Sequence, residues 1–381
     1  MTLSTDVLIV GGGLAGTATA YYLAREGVEA ALVEQTEINA GASGANAGSI
    51  HAQIPFHEFT TLGEAWARAY APTIPLFRES IRIWRGLSVE LGEDLEVKLT
   101  GGLIVARSAD RLKQVEAKAA LERAHGLDVR ILGRDELRTL APYISDEMIG
   151  GAFAPEEGKA NPLKVTPAFA RAAERHGARL LRRVAVTGIE RQRQGYLVTT
   201  TAGPIRAARV VNCAGAAAGD VARLIGIDLP VIGAPIQLTV TEPMAPLVPH
   251  LIYFAGGRLT LKQAQNGTFL IGGGWPSIAH ADGRLEVDLT SLRDNMRVAL
   301  EVVPRLSPVQ IVRSWPAIVN GTEDWKPILG EVAGHPGFFM GMFPWMGFSA
   351  GPIAARTVAQ LILGRDPGVD ISPFSAERFG R

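Results

Sequence analysis

Hydrophobic residues are concentrated near the N-terminus in a short run, Asp6 to Val10, with β-branched side chains and glycines directly behind it. A run of that length, bounded by turn residues, predicts a buried strand. Thr17 to Glu26 then predicts a helix closed by Gly27, and Ala30 to Glu34 a second short strand. Strand, tight turn, helix and strand make one βαβ unit, whose crossover places the two strands parallel.

Downstream, Thr61 to Leu91 has a helical pattern interrupted near Pro72 and Pro75. Gly102 to Ala106 predicts a strand and Ala109 to His125 an amphipathic helix. After Asn161-Pro162, the segment Val165 to His176 predicts a helix with Thr166 as N-cap and Pro167 in its first turn. Arg179 to Arg191 and Gly195 to Thr201 alternate like strands, and Val210 to Cys213 is a further apolar strand. Between Pro230 and Gly274 the pattern is mostly strand with Gly and Pro turns, which predicts a sizeable, partly antiparallel sheet. Helices are predicted over Asp288 to Val303 and Ile353 to Leu363. The expected fold class is α/β: a Rossmann-type dinucleotide domain plus an α+β lobe built on a mixed sheet.

Composition narrows the function classes. With 381 residues, more than one core is expected. Lys plus Arg and Asp plus Glu are both 38, so the chain has no electrostatic reason to bind nucleic acid. Cys213 is the one cysteine, which rules out an internal disulfide and a cysteine-held metal or iron–sulfur centre. A reducing, cytoplasmic compartment is expected. The stretch 336–355 has no charge and approaches the length of a membrane span, but Pro336, Pro344, Pro352 and four glycines predict irregular backbone packed inside protein. No transmembrane segment is expected.

Gly11, Gly13 and Gly16 form GxGxxG within VLIVGGGLAG, after the first strand and at the start of the helix. The glycines serve a tight turn, a close approach of backbone to pyrophosphate, and close helix–strand packing. Glu34 ends the second strand 18 residues after Gly16, where a carboxylate suits a ribose diol. An NAD dehydrogenase would continue with further βαβ repeats; a long helical and mixed region follows here instead. The small residues of GASGANAGSI (41–50) and the glycine turn in VVNCAGAAAGDV fit a bulky flat ligand, which favours FAD over NAD.

On VLIVGGGLAGTATAYYLAREG, ASGANAGSI, ANPLKVTPAFARAAERHGA, VVNCAGA and RSWPAIVNGTEDWKPILG, the chain resembles the D-amino-acid oxidase superfamily of flavoproteins, in its glycine oxidase, sarcosine oxidase and D-amino-acid dehydrogenase branch. SGANAGSIHAQ is most similar to the flavin subunits of bacterial opine oxidases or dehydrogenases and of hydrogen cyanide synthase. The resemblance implies FAD, with Gly11, Gly13, Gly16 and Glu34 on the ADP half. The cysteine that links flavin covalently in sarcosine oxidases has no counterpart in the C-terminal region, where Met342 stands, so noncovalent binding is expected. It implies Ser43 and Gly44 at the pyrophosphate, and Ala47, Gly48 and Ser49 beside the isoalloxazine. Val184 would offer backbone to adenine, Ala214 and Gly215 would line the cofactor, and Gly347, Phe348 and Ser349 would meet the pyrimidine edge. Segments 1–90, 145–218 and 323–381 would form the FAD-binding domain, and 91–144 and 219–322 the substrate domain.

The implied activity is oxidation of a C–N bond in an amino acid, imino acid or opine-like secondary amine. A dehydrogenase is favoured, with an oxygen-using oxidase or an electron-relay subunit of a complex as alternatives. Partner subunits of a hetero-oligomer are implied by the opine branch, and with them any attachment to a membrane. This sequence departs from its relatives at the arginine that holds a small substrate's carboxylate: Val319 stands there, and Pro344 near a second basic position. Arg258 is the candidate replacement, since guanidinium binds carboxylate in bidentate fashion; the other reading is a surface arginine opening a strand. His51 is read as a substrate contact or a structural histidine. Lys262 is read as a flavin-side lysine or a solvated strand residue. Tyr253, Trp325 and Trp345 are candidate pocket walls.

Overall fold

The computed structural model describes residues 3–380. The N-terminal run becomes the strand Leu3–Val10, followed by the helix Leu14–Ala24 and the strand Ala30–Glu34. Alternate side chains leave the strand on opposite faces. Val7, Ile9 and Leu32 join the core beneath the helices, while Leu8, Val10, Ala31 and Val33 join a second core with Tyr196 and Val198. Both faces are therefore buried, which is why the strand reads as a continuous apolar run.

The first sheet runs in the order Ile328–Glu331, Phe338–Met342, Gly203–Asn212, Leu3–Val10, Ala30–Glu34, Arg179–Arg182. All its neighbours are parallel except the edge pair Ile328–Glu331 with Phe338–Met342. The strands Tyr196–Thr200 and Val186–Arg191 add an antiparallel flap on Gly203–Asn212. Helix Leu14–Ala24 packs against the helices Pro162–Arg175 and Gly347–Ile362, and nearly all of its side chains are buried.

The second sheet has eight strands in the order Ile311–Gly321, Ile232–Pro243, Thr268–Gly272, Thr260–Gln263, Leu251–Phe254, Gly102–Ala106, Gly150–Ala154, Arg130–Gly133. Only Leu251–Phe254 with Gly102–Ala106 is parallel. Its outer face, with Leu103, Val105, Ile252 and Leu261, packs against the helix Leu289–Val302 through Val298 and Val302.

Several expectations are corrected. The helix over 162–175 begins at Pro162, because Asn161 and not Thr166 caps it, its side chain accepting from Leu163 N at 3.0 Å. The uncharged stretch is not irregular: it is the strand Phe338–Met342, a turn, and the start of the helix Gly347–Ile362, with Pro352 inside it. The strand Gly150–Ala154 pairs in the second sheet, so the nucleotide-domain segment read as starting at 145 leaves that sheet only after Ala154. Residues 1 and 381, the outer limits of the predicted domains, lie outside the described residues. Among the described residues no helix is long and apolar enough to cross a membrane.

Candidate functional site

A cavity of about 1120 Å³ opens between the glycine turn and the inner face of the second sheet. At its nucleotide end the bare glycines have steric reasons. Gly11 has φ +111°, and a Cβ there would lie 2.4 Å from the Cys213 carbonyl oxygen. A Cβ on Gly16 would lie 1.9 Å from the Gly11 oxygen, so helix and turn touch backbone to backbone. The Glu34 carboxylate accepts from Gly12 N at 2.7 Å and from Thr36 N at 2.7 Å, bracing the turn against the end of the second strand. Ser43 Oγ accepts from Leu14 N at 2.9 Å and so caps the helix from outside its own segment. Around the same helix start, the cavity is lined by Gly13, Ala15, Ala42, Ala214 and Gly215.

A second helix start reaches the same cavity. Gly347, Phe348 and Ser349 line it at the head of Gly347–Ile362. Ser349 Oγ accepts from His51 N at 2.8 Å and donates to the Ser49 carbonyl at 3.0 Å, locking the 49–51 backbone to this helix. The Ser349 carbonyl accepts from Ser80 Oγ at 2.5 Å and Trp84 Nε1 at 2.8 Å. Ser49 Oγ, by contrast, is buried with no partner among the described residues, although Ser49 borders the cavity. Bare glycines, a helix start and an orphaned hydroxyl along one cleft suit a dinucleotide with a polar ring system.

The structure brings most predicted site residues together. Gly11, Gly13, Glu34, Ser43, Ala47, Ser49, His51, Ala214, Gly215, Arg258 and 347–349 all border this cavity. Gly16 sits behind it as packing, and Gly44 presses on the Asn39 carbonyl, where a Cβ would lie at 2.1 Å. Val184 is buried outside the lining, and its N–H already donates to the Glu34 carbonyl at 2.8 Å. Lys262 does not border this cavity; it is buried behind Gly48, where a Cβ would meet its Nζ at 2.8 Å. It lines a neighbouring cavity of about 1090 Å³ with Lys98, Lys159 and Arg313, so it is no solvated strand lysine. Burial, then the Lys159 charge, push its pKa well below the ordinary lysine range.

Arg258 is partly buried on the cavity wall, with Nη1 donating to the Gly274 carbonyl at 2.8 Å. Among the described residues it is the only arginine on the lining, and Val319 lines the same cavity without charge. His57 and Glu58 border the cavity too, and the Arg258 charge bears on both. Trp325 and Trp345 form a stacked wall with centroids 4.8 Å apart, each held at positive φ (63° and 56°). Such backbone is costly for a bulky residue and is found where side chains must be aimed. Cys213 borders the cavity, but burial pushes its thiol up to about 12, so it is unreactive as a nucleophile.

Sequence reasoning named Tyr253 as a pocket wall but missed Glu157, Gln53 and Lys118, which are hydrogen-bonded behind it. Glu157 is fully buried and accepts from Ala52 N at 2.6 Å, Gln53 N at 2.7 Å, Gln53 Nε2 at 3.0 Å and Tyr253 OH at 2.9 Å. Lys118, also buried, donates to Gln53 Oε1 at 3.2 Å and to Glu122 Oε1 at 2.5 Å. Tyr253 OH lies 2.6 Å from His51 Nδ1. The pairing of Ser49–Ile50 with Gly158–Lys159 brings Glu157 here, and no local spacing signals it.

The family model described as DAO, FAD dependent oxidoreductase, matches residues 6–361. The chain is 26% identical to sarcosine oxidase subunit beta of Rhizobium meliloti (strain 1021), over 99% of this chain and 88% of that one. It is 27% identical to glycine oxidase of Geobacillus kaustophilus (strain HTA426), over 99% and 98%. The crystal structure of glycine oxidase from Geobacillus kaustophilus superposes with a TM-score of 0.86 at 26% identity, covering 99% of both chains.

Proposed function

Because the chain belongs to the DAO family of FAD-dependent oxidoreductases, we propose that it oxidises the C–N bond of an opine-like secondary amine or D-amino acid as a dehydrogenase. The observation that carries the substrate class is the cavity wall: among the described residues Arg258 supplies its only arginine, while Val319 leaves the usual clamp position apolar. A carboxylate held at Arg258 gains charged, bidentate hydrogen bonds. The volume beyond it, walled by Trp325 and Trp345, accommodates a second substituent on the nitrogen.

Noncovalent FAD would rest its phosphates on the helix start at Gly13 to Ala15, beside Ser43. Glu34 would turn one oxygen from Gly12 N to the ribose, and Ser49 Oγ would find its missing partner on the ring system. When bound, FAD supplies the two-electron acceptor. The chain's own residues orient the amine, exclude water with the indole wall and hold the carboxylate. The substrate carbon loses hydride and its nitrogen a proton; water then adds to the imine and releases a carbonyl compound and an amine. The two lobes divide as nucleotide-binding and substrate-binding, and the chain works with partner subunits in a hetero-oligomer, in line with the subunit naming of one relative.

The test is anaerobic mixing of the yellow holoprotein with N-carboxyalkyl amino acids, D-amino acids, sarcosine and glycine. Bleaching by an N-carboxyalkyl amino acid or a D-amino acid is the expected result. Bleaching by sarcosine or glycine alone would overturn the substrate class, and bleaching by none would overturn the activity. Oxygen uptake then separates an oxidase from a dehydrogenase, which would reduce only an artificial dye.

A further inference from the structure

Donors and acceptors around His51 can be assigned one by one. Lys118 has only donors, so Gln53 must turn its Oε1 toward Nζ, which leaves its Nε2 facing Glu157. Glu157 receives two backbone N–H groups on Oε1 and the Gln53 amide on Oε2, so it acts as an acceptor toward Tyr253 as well. The Tyr253 hydroxyl has one proton, and it is spent on Glu157. Toward His51 it can only accept, so the ring nitrogen that faces it, Nδ1, must carry hydrogen. In the neutral ring Nε2 then has a lone pair, and no described residue hydrogen-bonds to it. The chain Lys118, Gln53, Glu157, Tyr253, His51 ends at the wall of the cavity.

We propose that Glu157 and Tyr253 are positioning residues that hold His51 as its Nδ1–H tautomer, so that Nε2 accepts the N–H of the substrate amine. The substrate half of this statement rests on the amine-oxidising function above; the tautomer half does not. An acceptor for N–H fixes the rotation of the nitrogen and leaves its own lone pair free to support hydride departure from the neighbouring carbon. A neutral ring suits the task, because it accepts without carrying charge into the cavity. Burial and the Lys262 charge keep it neutral, holding its pKa down at about 3. The other groups around the ring are the Tyr253 hydroxyl, the Glu157 carboxylate behind it and the Ser349 hydroxyl on the His51 backbone N–H.

The first measurement needs no substrate. Holoprotein labelled with 15N-histidine reports the protonated nitrogen of each ring, and the His51 signal is the one lost in His51→Asn. Between about pH 6 and pH 8, where an ordinary histidine titrates, the His51 ring should stay neutral with hydrogen on Nδ1. Tyr253→Phe, which keeps the ring volume, should shift that signal toward the Nε2–H tautomer. A wild-type ring protonated on Nε2, or a signal unmoved in Tyr253→Phe, overturns the assignment whatever the protein oxidises. The second measurement is anaerobic flavin reduction by an amine that bleaches the wild type. Tyr253→Phe should slow reduction at saturating amine by at least ~10-fold, as a misplaced tautomer does elsewhere, with FAD still bound and KM nearly unchanged. An unchanged limiting rate overturns the role of Nε2; a raised KM alone reassigns Tyr253 to substrate affinity and equally overturns it. If no amine bleaches the protein, the function fails while the tautomer result still decides the positioning.

Discussion

Single residues in this site are constrained either by backbone contact or by charge, and the two kinds of constraint predict different failures. Gly16 belongs to the first kind. Because a Cβ would fall 1.9 Å from a main-chain oxygen, no side-chain rotation can relieve Gly16→Ala, and the turn itself must open. The expected cost is on the order of 3 kcal/mol, the upper end for overpacking, with loss of visible flavin absorbance; a yellow, equally stable variant would contradict the packing. Arg258 belongs to the second kind. Arg258→Ala should raise KM for an acidic amine by roughly 10- to 100-fold, the worth of a charged hydrogen bond, with FAD retained in the absorbance spectrum. His51 adds a pH effect with a definite sign. Its folded pKa of about 3 lies below the ordinary 6.5, so the unfolded chain takes up its proton first. Its stabilising share is complete above pH 6.5 and is lost as pH falls toward 3. Urea midpoints measured between about pH 7 and pH 4 should therefore fall less steeply in His51→Asn than in the wild type.

Elements show where the sequence is readable and where it is not. The strands Leu3–Val10 and Ala30–Glu34 and the turn between them are legible because local rules decide them: apolar runs buried on two faces, and glycines where backbone meets backbone. Asn161 and Thr166 each precede a proline, and only the accepted Leu163 N–H marks Asn161 as the cap. The head of Gly347–Ile362 was hidden by Pro352, which removes an intrahelical donor. Ser80 and Trp84, far away in sequence, hold the first turn of this helix by bonding the Ser349 carbonyl. The Glu157 network was invisible for the same reason, since Tyr253 lies 96 residues from it. Ser43 makes the most direct test of an element, because it caps a helix from 29 residues away. Ser43→Ala should cost about 1 kcal/mol of stability, the usual loss for a cap, and weaken FAD retention on gel filtration. Equal stability would mean that water replaces the Ser43 hydroxyl at Leu14 N without loss.

At the scale of the whole molecule, the cavity is bounded by elements that otherwise belong to separate cores. The glycine turn and the head of Gly347–Ile362 come from the first sheet's side, while Ile236, Leu238, Thr260, Ala317 and Val319 come from the second sheet. A flavin nucleotide filling this space would touch both groups at once, so its binding free energy would add to the cohesion between them. A ligand that binds only the folded form stabilises it by about 2.7 kcal/mol at 100 times its Kd. The melting temperature should therefore rise with the logarithm of FAD concentration. Amide exchange in Ile311–Gly321, an edge strand of the second sheet, and in its neighbour Ile232–Pro243 should slow when FAD is added. Slowing confined to the glycine turn would mean that the nucleotide is held by the first lobe alone. In that case the wall carrying Arg258 would close through substrate or a partner subunit rather than through the cofactor.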